Sequence, residues 1–166
     1  MPLYFAYGAN MDETAMATRC PRSRPRGLAQ LKRHRLAVMR EGWLTVARDP
    51  RESVHGVLWD LALADVPGLD RFEQLGAGLY TKSAQPVVVA GGAKRALVYF
   101  GANAGPGRVN ADYVAAVLAA AQRWKFAQEG LAPLERLARE AGVTGVAELA
   151  PVVPKVRPRF ATPFDR

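Results

Sequence analysis

The 166-residue chain has one cysteine, Cys20, so no disulfide can form within it, and a cytoplasmic location is the default expectation. Its two histidines, His34 and His55, give no metal-ligand cluster with that cysteine, so no metal site is expected. His55 lies in a strand-like pattern and reads as structural. Neither glycine-rich phosphate-binding motif of nucleotide-binding proteins occurs. Charged residues interrupt every apolar stretch well short of the ~20 residues that a membrane span needs. The N-terminus has no basic region followed by an apolar stretch, so no signal peptide is expected. Acid is missing from a whole segment: none occurs between Glu13 and Glu41, where Arg19, Arg22, Arg24, Arg26, Lys32, Arg33, Arg35 and Arg40 fall.

That basic segment and the net charge of +8 raise the question of nucleic acid. Aromatic residues are not interleaved with these arginines, so a base-stacking platform is missing. Arginine is preferred to lysine throughout the chain. The segment therefore reads as a solvated face, with no nucleic-acid partner and no membrane partner expected. The same charge would also draw small anionic substrates.

Hydrophobic residues make up 49% of the chain, enough to exclude global disorder, and the length suits one domain. We expect that domain over residues 1–150, followed by an extended tail over 151–166 containing Pro151, Pro154, Pro158 and Pro163. Strand patterns cover 3–7, 34–39, 44–48, 54–60, 84–90 and 94–100, with Gly91-Gly92 as the turn of the last hairpin. Residues 19–30, rich in Pro and Arg, read as a loop with room for a short strand. Helical patterns cover 11–18, 65–74, 110–128 and 131–141, with a further short one near 144–149. Asn110 or Asp112 caps the third helix, and Pro133 falls in the first turn of the fourth. Strands first and later, with helices inserted and appended, point to an α+β domain around one curved sheet.

Two segments carry chemistry. In the first, the apolar run Leu3-Tyr4-Phe5-Ala6 ends in Tyr7-Gly8-Ala9-Asn10. Gly8 permits close approach of backbone to a ligand, and Asn10 can hold the turn or cap the helix that follows. Successive N–H groups at such a strand-to-helix turn can bind an anion or a carbonyl oxygen. In the second, Asp65 can serve as an N-cap, and Val66, Leu69 and Phe72 form the apolar face of a short helix. Glu73 falls in that apolar sector, whereas Asp70, Arg71 and Gln74 lie on the other side. A buried carboxylate shifts towards the neutral form and suits a general base. It is equally half of a structural ion pair or a backbone cap; the residues alone leave both open. Gly76 and Gly78 then deliver Tyr80 to the next strand.

Phe5-Ala6-Tyr7-Gly8-Ala9-Asn10-Met11 resembles the Phe-Ala-Tyr-Gly-Ser-Asn-Leu signature of the gamma-glutamylcyclotransferase-like superfamily. Leu69-Asp70, Glu73 and Gly78-Leu79-Tyr80 resemble its Leu-Asp-x-x-Glu-Gly segment and the Gly-x-Tyr that follows. Val54-His55-Gly56-Val57-Leu58-Trp59 is similar to its Val-x-Gly-Val strand. Order and spacing agree for all three, and the likeness runs from about Leu3 to Leu131. Two positions depart from the pattern: the loop serine is Ala9, and the glycine after the glutamate is Gln74.

The resemblance implies a small mixed β-barrel with surrounding helices. It implies Glu73 as the catalytic base and Tyr7, Gly8, Ala9, Asn10, Met11, Tyr80, Tyr99 and Tyr113 as substrate-binding residues. Each tyrosine could equally be a core aromatic with a satisfied hydroxyl. The implied activity is release of 5-oxoproline and a free amine from a small gamma-glutamyl amide, without a cofactor, by a monomer or homodimer. Two alternatives stay open: a non-catalytic module of the same fold that binds a gamma-glutamyl metabolite, and an arginine-driven nucleic-acid binder.

Overall fold

The computed structural model of the chain describes residues 1–144, so the expected tail and most of the short helix near 144–149 lie outside the described residues. Five strands close into one barrel in the order β1-β3-β2-β4-β5: β1 (Leu3–Ala6), β2 (Arg24–Val38), β3 (Leu44–Asp60), β4 (Tyr80–Val89) and β5 (Gly92–Gly101). All ladders are antiparallel except the one that closes the barrel, where β5 pairs parallel with β1 at Tyr4 and Leu97. Four helices surround it: α1 (Glu13–Arg19), α2 (Val66–Phe72), α3 (Ala111–Arg123) and α4 (Gln128–Glu140). The architecture is the α+β mixed barrel that the sequence led us to expect.

The short apolar β1 lies between two strands and is buried at Tyr4, Phe5 and Ala6. Its neighbour β3 approaches so closely that a Cβ on Gly56 would sit 2.4 Å from the Ala6 carbonyl oxygen and 2.6 Å from the Phe5 ring. Only glycine fits there. On the outside, α3 buries nine consecutive residues, Tyr113 to Ala121, and the run of alanines lets it lie close to its neighbours. The Trp124 indole N–H donates to the Met11 carbonyl at 2.8 Å and ties the end of α3 to the loop after β1.

Several boundaries differ from the sequence expectations, each for a tertiary reason. Residues 24–30 are not loop but the first half of β2, where Arg24, Pro25, Leu28 and Ala29 pair with Asp60, Trp59, Val57 and Gly56 of β3. A bulge at Pro25/Gly27 absorbs the residue that cannot donate. A second bulge at Lys32/His34 switches the inward face from Ala29 and Leu31 to His34, because Arg33 takes a left-handed backbone at φ 59°. Opposite it, Asp49 to Glu52 leave the regular register, so the patterns at 44–48 and 54–60 join into one strand.

The hairpin turn of β4 and β5 is Ala90-Gly91, not Gly91-Gly92, since Gly92 already pairs with Val89. Asp12, not Asn10, caps α1, by accepting from the Ala15 N–H at 2.8 Å. Asp65 makes no cap bond to α2; its carboxylate accepts from the Arg22 N–H and the Ser23 hydroxyl. Asn110 caps α3, as one of the two expected candidates. Helix α4 starts at Gln128, which leaves Pro133 inside it rather than in its first turn.

Candidate active site

The loop after β1 makes a tight turn. Gly8 is its N-cap, Ala9–Met11 form one 3-10 turn, and the Met11 N–H returns to the Gly8 carbonyl at 3.0 Å. The first N–H groups of such a turn have no acceptor within it, and here they belong to the Gly8-Ala9-Asn10 stretch. A side chain on Gly8 would lie 3.2 Å from the Tyr113 hydroxyl, so the glycine lets that phenol reach the loop.

Glu73 approaches from the other side. It is the C-cap of α2, bonded by its N–H to the Leu69 carbonyl at 2.9 Å. Leu69, fully buried, fixes that helix against the core, and Glu73 is only 5% exposed. The next residue, Gln74, has a left-handed backbone with φ 53°. That is the conformation glycine adopts most easily, which accounts physically for the glycine of the family pattern at this place.

Asn10 joins the two halves. Its Nδ2 donates to Glu73 Oε1 at 3.1 Å and to the Tyr4 hydroxyl at 3.1 Å, while its Oδ1 accepts from Arg19 Nη1 at 2.7 Å. The Arg19 guanidinium also lies 3.7 Å over the Phe72 ring. A cation thus polarises the amide that donates to the carboxylate.

Tyr4, Gly8, Ala9, Asn10, Leu44 and Glu73 line one partly open cavity of about 20 Å³, together with Tyr7, Tyr80, Tyr99 and Tyr113. Tyr7 donates to the Tyr99 carbonyl at 2.5 Å, and Tyr80 donates to the Leu44 carbonyl at 2.6 Å. The Leu44 N–H donates to the Tyr113 oxygen at 3.4 Å. Tyr99 donates to Asp70 Oδ1 at 2.6 Å. Burial, and after it the negative charge of Glu73, pushes the Tyr4 and Tyr7 hydroxyls well above the usual phenol range. Tyr99 is raised by burial and then by its bond to Asp70. All three are therefore neutral phenols at physiological pH.

Of the residues named from sequence, Glu73, Tyr7, Gly8, Ala9, Asn10, Tyr80, Tyr99 and Tyr113 share this cavity. Met11 does not line it; its side chain is fully buried in the core. Sequence reasoning missed Tyr4, Leu44, Arg19 and Asp70. Asp70 had one signal, its place in the helix segment that carries Glu73, although the wheel set it on the polar side; Tyr4 had one only as an aromatic of the buried strand β1. Leu44 had none, because it contributes backbone.

His55 lies elsewhere, its ring 6.0 Å from Phe126. It borders a wider groove of about 610 Å³ that includes Arg26, Leu28, Val88 and Lys94. Among the described residues no carboxylate lines that groove, and its one titratable ring is that of His55. Among the described residues no cluster of His, Cys, Asp and Glu could hold a metal, and no helix is long and apolar enough to cross a membrane.

A small mixed barrel with a buried acid facing a strand-to-helix loop across a tyrosine-lined cavity defines the class of protein. The chain belongs to the gamma-glutamyl cyclotransferase, AIG2-like family, whose model matches residues 4–126. Its fold is similar to a solved structure described as gamma-glutamyl cyclotransferase, with TM-score 0.75 and 21% identity over 81% of this chain and 86% of that one. It is also similar to an uncharacterized protein from Homo sapiens, with TM-score 0.74 and 22% identity over 80% and 85% of the two chains. YkqA from Bacillus subtilis gives TM-score 0.69 and 19% identity over 83% of this chain and 54% of its own. At these identities the likeness shows the fold. No curated protein sequence matches the chain.

Proposed function

We propose that the protein is a cyclotransferase that releases 5-oxoproline and a free amine from a gamma-glutamyl amide. The observation that carries this reading is the buried Glu73 carboxylate, which accepts from Asn10 of the loop whose residues Gly8, Ala9 and Asn10 line the same cavity. In the reaction the substrate's α-amine attacks its own γ-carbonyl. A carbon–nitrogen bond forms to close a five-membered ring, and the amide carbon–nitrogen bond breaks. Holding the chain folded supplies much of the rate, because attack is intramolecular. Glu73 takes the proton that the attacking nitrogen must lose and returns it to the departing amine, so the carboxylate is regenerated. The oxygen that becomes negative on the γ-carbon is met by N–H donors of Gly8, Ala9 and Asn10. The test is to incubate the protein with a panel of gamma-glutamyl dipeptides and gamma-glutamyl amines and to measure 5-oxoproline. No release from any of them would remove this reading.

Ala9, which lacks the hydroxyl of the family pattern's loop serine, favours a second reading, a non-catalytic module that binds a gamma-glutamyl metabolite. Ala9→Ser separates the two. If backbone donors stabilise the oxyanion, restoring the hydroxyl should change kcat/KM by less than about tenfold and leave melting unaltered. A gain of several orders of magnitude would show a protein kept for binding rather than turnover.

The arginine-rich segment takes no part in this chemistry beyond Arg19. Arg22, Arg24, Arg26, Lys32, Arg33, Arg35 and Arg40 are all exposed, and Arg26 pairs with Asp60 at 3.3 Å. The expected result is no submicromolar binding to single- or double-stranded nucleic acid at physiological salt. Tight binding lost on neutralising Arg22, Arg24, Arg26 and Arg33 together would overturn that expectation.

A further inference from the structure

Asp70 lies one helical turn before Glu73 on α2, at the edge of the cavity rather than within its lining. Its Oδ1 accepts from the Tyr99 hydroxyl at 2.6 Å, and Lys82 Nζ of β4 lies 2.9 Å from Oδ1 and 2.7 Å from Oδ2. Tyr99 is held at two further points: its carbonyl accepts from Tyr7, and its ring meets the Tyr4 ring edge-on at 5.7 Å between centroids. Simply joining α2 to β4 would need the Asp70–Lys82 pair alone. The third member, a phenol that also lines the cavity, calls for another explanation.

We infer that Asp70 is a positioning residue that commits the single proton of the Tyr99 hydroxyl, so that this oxygen can meet a ligand only as an acceptor. The inference rests on the reading of the cavity as a gamma-glutamyl site and names the end of the substrate that Tyr99 recognises. A phenol has one proton and two lone-pair positions, whereas an ionised carboxylate can only accept. With Lys82 across both of its oxygens, Asp70 takes the Tyr99 proton, and the bond is short because it is charge-assisted.

Tyr99 therefore cannot donate to a ligand carboxylate or carbonyl. It can accept from an ammonium group. Together with Glu73 from the same helix it makes the α2 and β5 side of the cavity the place for the substrate's α-ammonium. The carbonyl oxygen is left to the N–H groups of the Tyr7–Asn10 loop. Burial and the bond to Asp70 both raise the Tyr99 pKa, which keeps the phenol protonated and the arrangement stable in this sense.

The test uses L-glutamate and glutarate, which differ only in the α-ammonium, titrated calorimetrically into the full chain. The wild type should bind L-glutamate at least about tenfold tighter than glutarate, a difference of about 1.4 kcal/mol. Asp70→Asn should bring that ratio below about threefold, because an amide can donate to Tyr99 and turn its proton towards the cavity. Tyr99→Phe should do the same, and the double variant should do no more, since both changes remove one acceptor. A merely structural Asp70 would lower the melting temperature and weaken both ligands equally, with the ratio unchanged.

An unchanged ratio in Asp70→Asn, or a wild type without preference, overturns the inference. Should Asp70→Asn fail to fold, Tyr99→Phe decides, and an undiminished ratio there is equally fatal. A wild type that releases no 5-oxoproline yet shows the Asp70-dependent ratio would remove the proposed reaction and leave this inference standing. A turnover-competent protein with a ratio indifferent to Asp70 would do the reverse.

Discussion

Glu73→Gln should lower 5-oxoproline release by about 10²- to 10⁴-fold, the range over which general acid–base groups act, while the protein stays folded. The amide is nearly isosteric with the acid. Its oxygen can still accept from Asn10 Nδ2, which donates to Glu73 Oε1 at 3.1 Å in the wild type. The packing of Leu69 beneath the end of α2 is untouched, so melting should fall within about 5 °C of the wild type or rise slightly. A rise is expected because the neutral side chain avoids the cost of desolvating a carboxylate. If Glu73 were instead the anionic half of a structural ion pair, the same change should cost roughly 3 kcal/mol or more. Melting and turnover measured on this one variant therefore discriminate the two. A variant that keeps near-wild-type turnover, or one that melts far lower, removes Glu73 as the base and the mechanism with it.

Gly56→Ala should destabilise the protein by about 3 kcal/mol, at the upper end of what overpacking costs. The added methyl would meet the Ala6 carbonyl oxygen at 2.4 Å and two carbons of the Phe5 ring at 2.6 and 2.7 Å. A flexible side chain could give way, but the carbonyl belongs to β1, which is paired with β3 on one side and β5 on the other. Relief must come from displacing β1, and β1 carries the loop Tyr7–Asn10 directly at its end. Weakened ligand binding should therefore accompany the lost stability. Urea denaturation gives the first quantity and ligand titration the second. Stability within about 0.5 kcal/mol of the wild type would show that β1 is free to shift, and with it that the loop is less firmly held than the barrel implies.

Much of this was legible in the sequence because it is local. The apolar run before Gly8, the burial of Glu73 beside Leu69 and the hairpin near Gly91 each follow from spacing within a few residues. Patterns over long strands were not legible. The bulges at Pro25/Gly27 and Lys32/His34 break the alternation on which strand recognition depends, so half of β2 reads as a basic loop. Helix ends were similarly displaced. Asp65 has the chemistry of a cap, yet Ser23 and the Arg22 N–H, more than forty positions earlier, hold its carboxylate instead.

By itself, then, the sequence determined which residues carry chemistry: an acid on an apolar helix face and a glycine loop at the end of a buried strand. Both are properties of short segments, and backbone periodicity is enough to express them. Only the tertiary structure decided which partners those residues meet. Closure of the barrel sets Asn10 between Glu73, Tyr4 and Arg19, and it brings Tyr99 against Asp70. Hydrogen bonds act over about 3 Å and depend on direction, so they are fixed by the packing of elements that are distant in the chain and not by the spacing of residues along it.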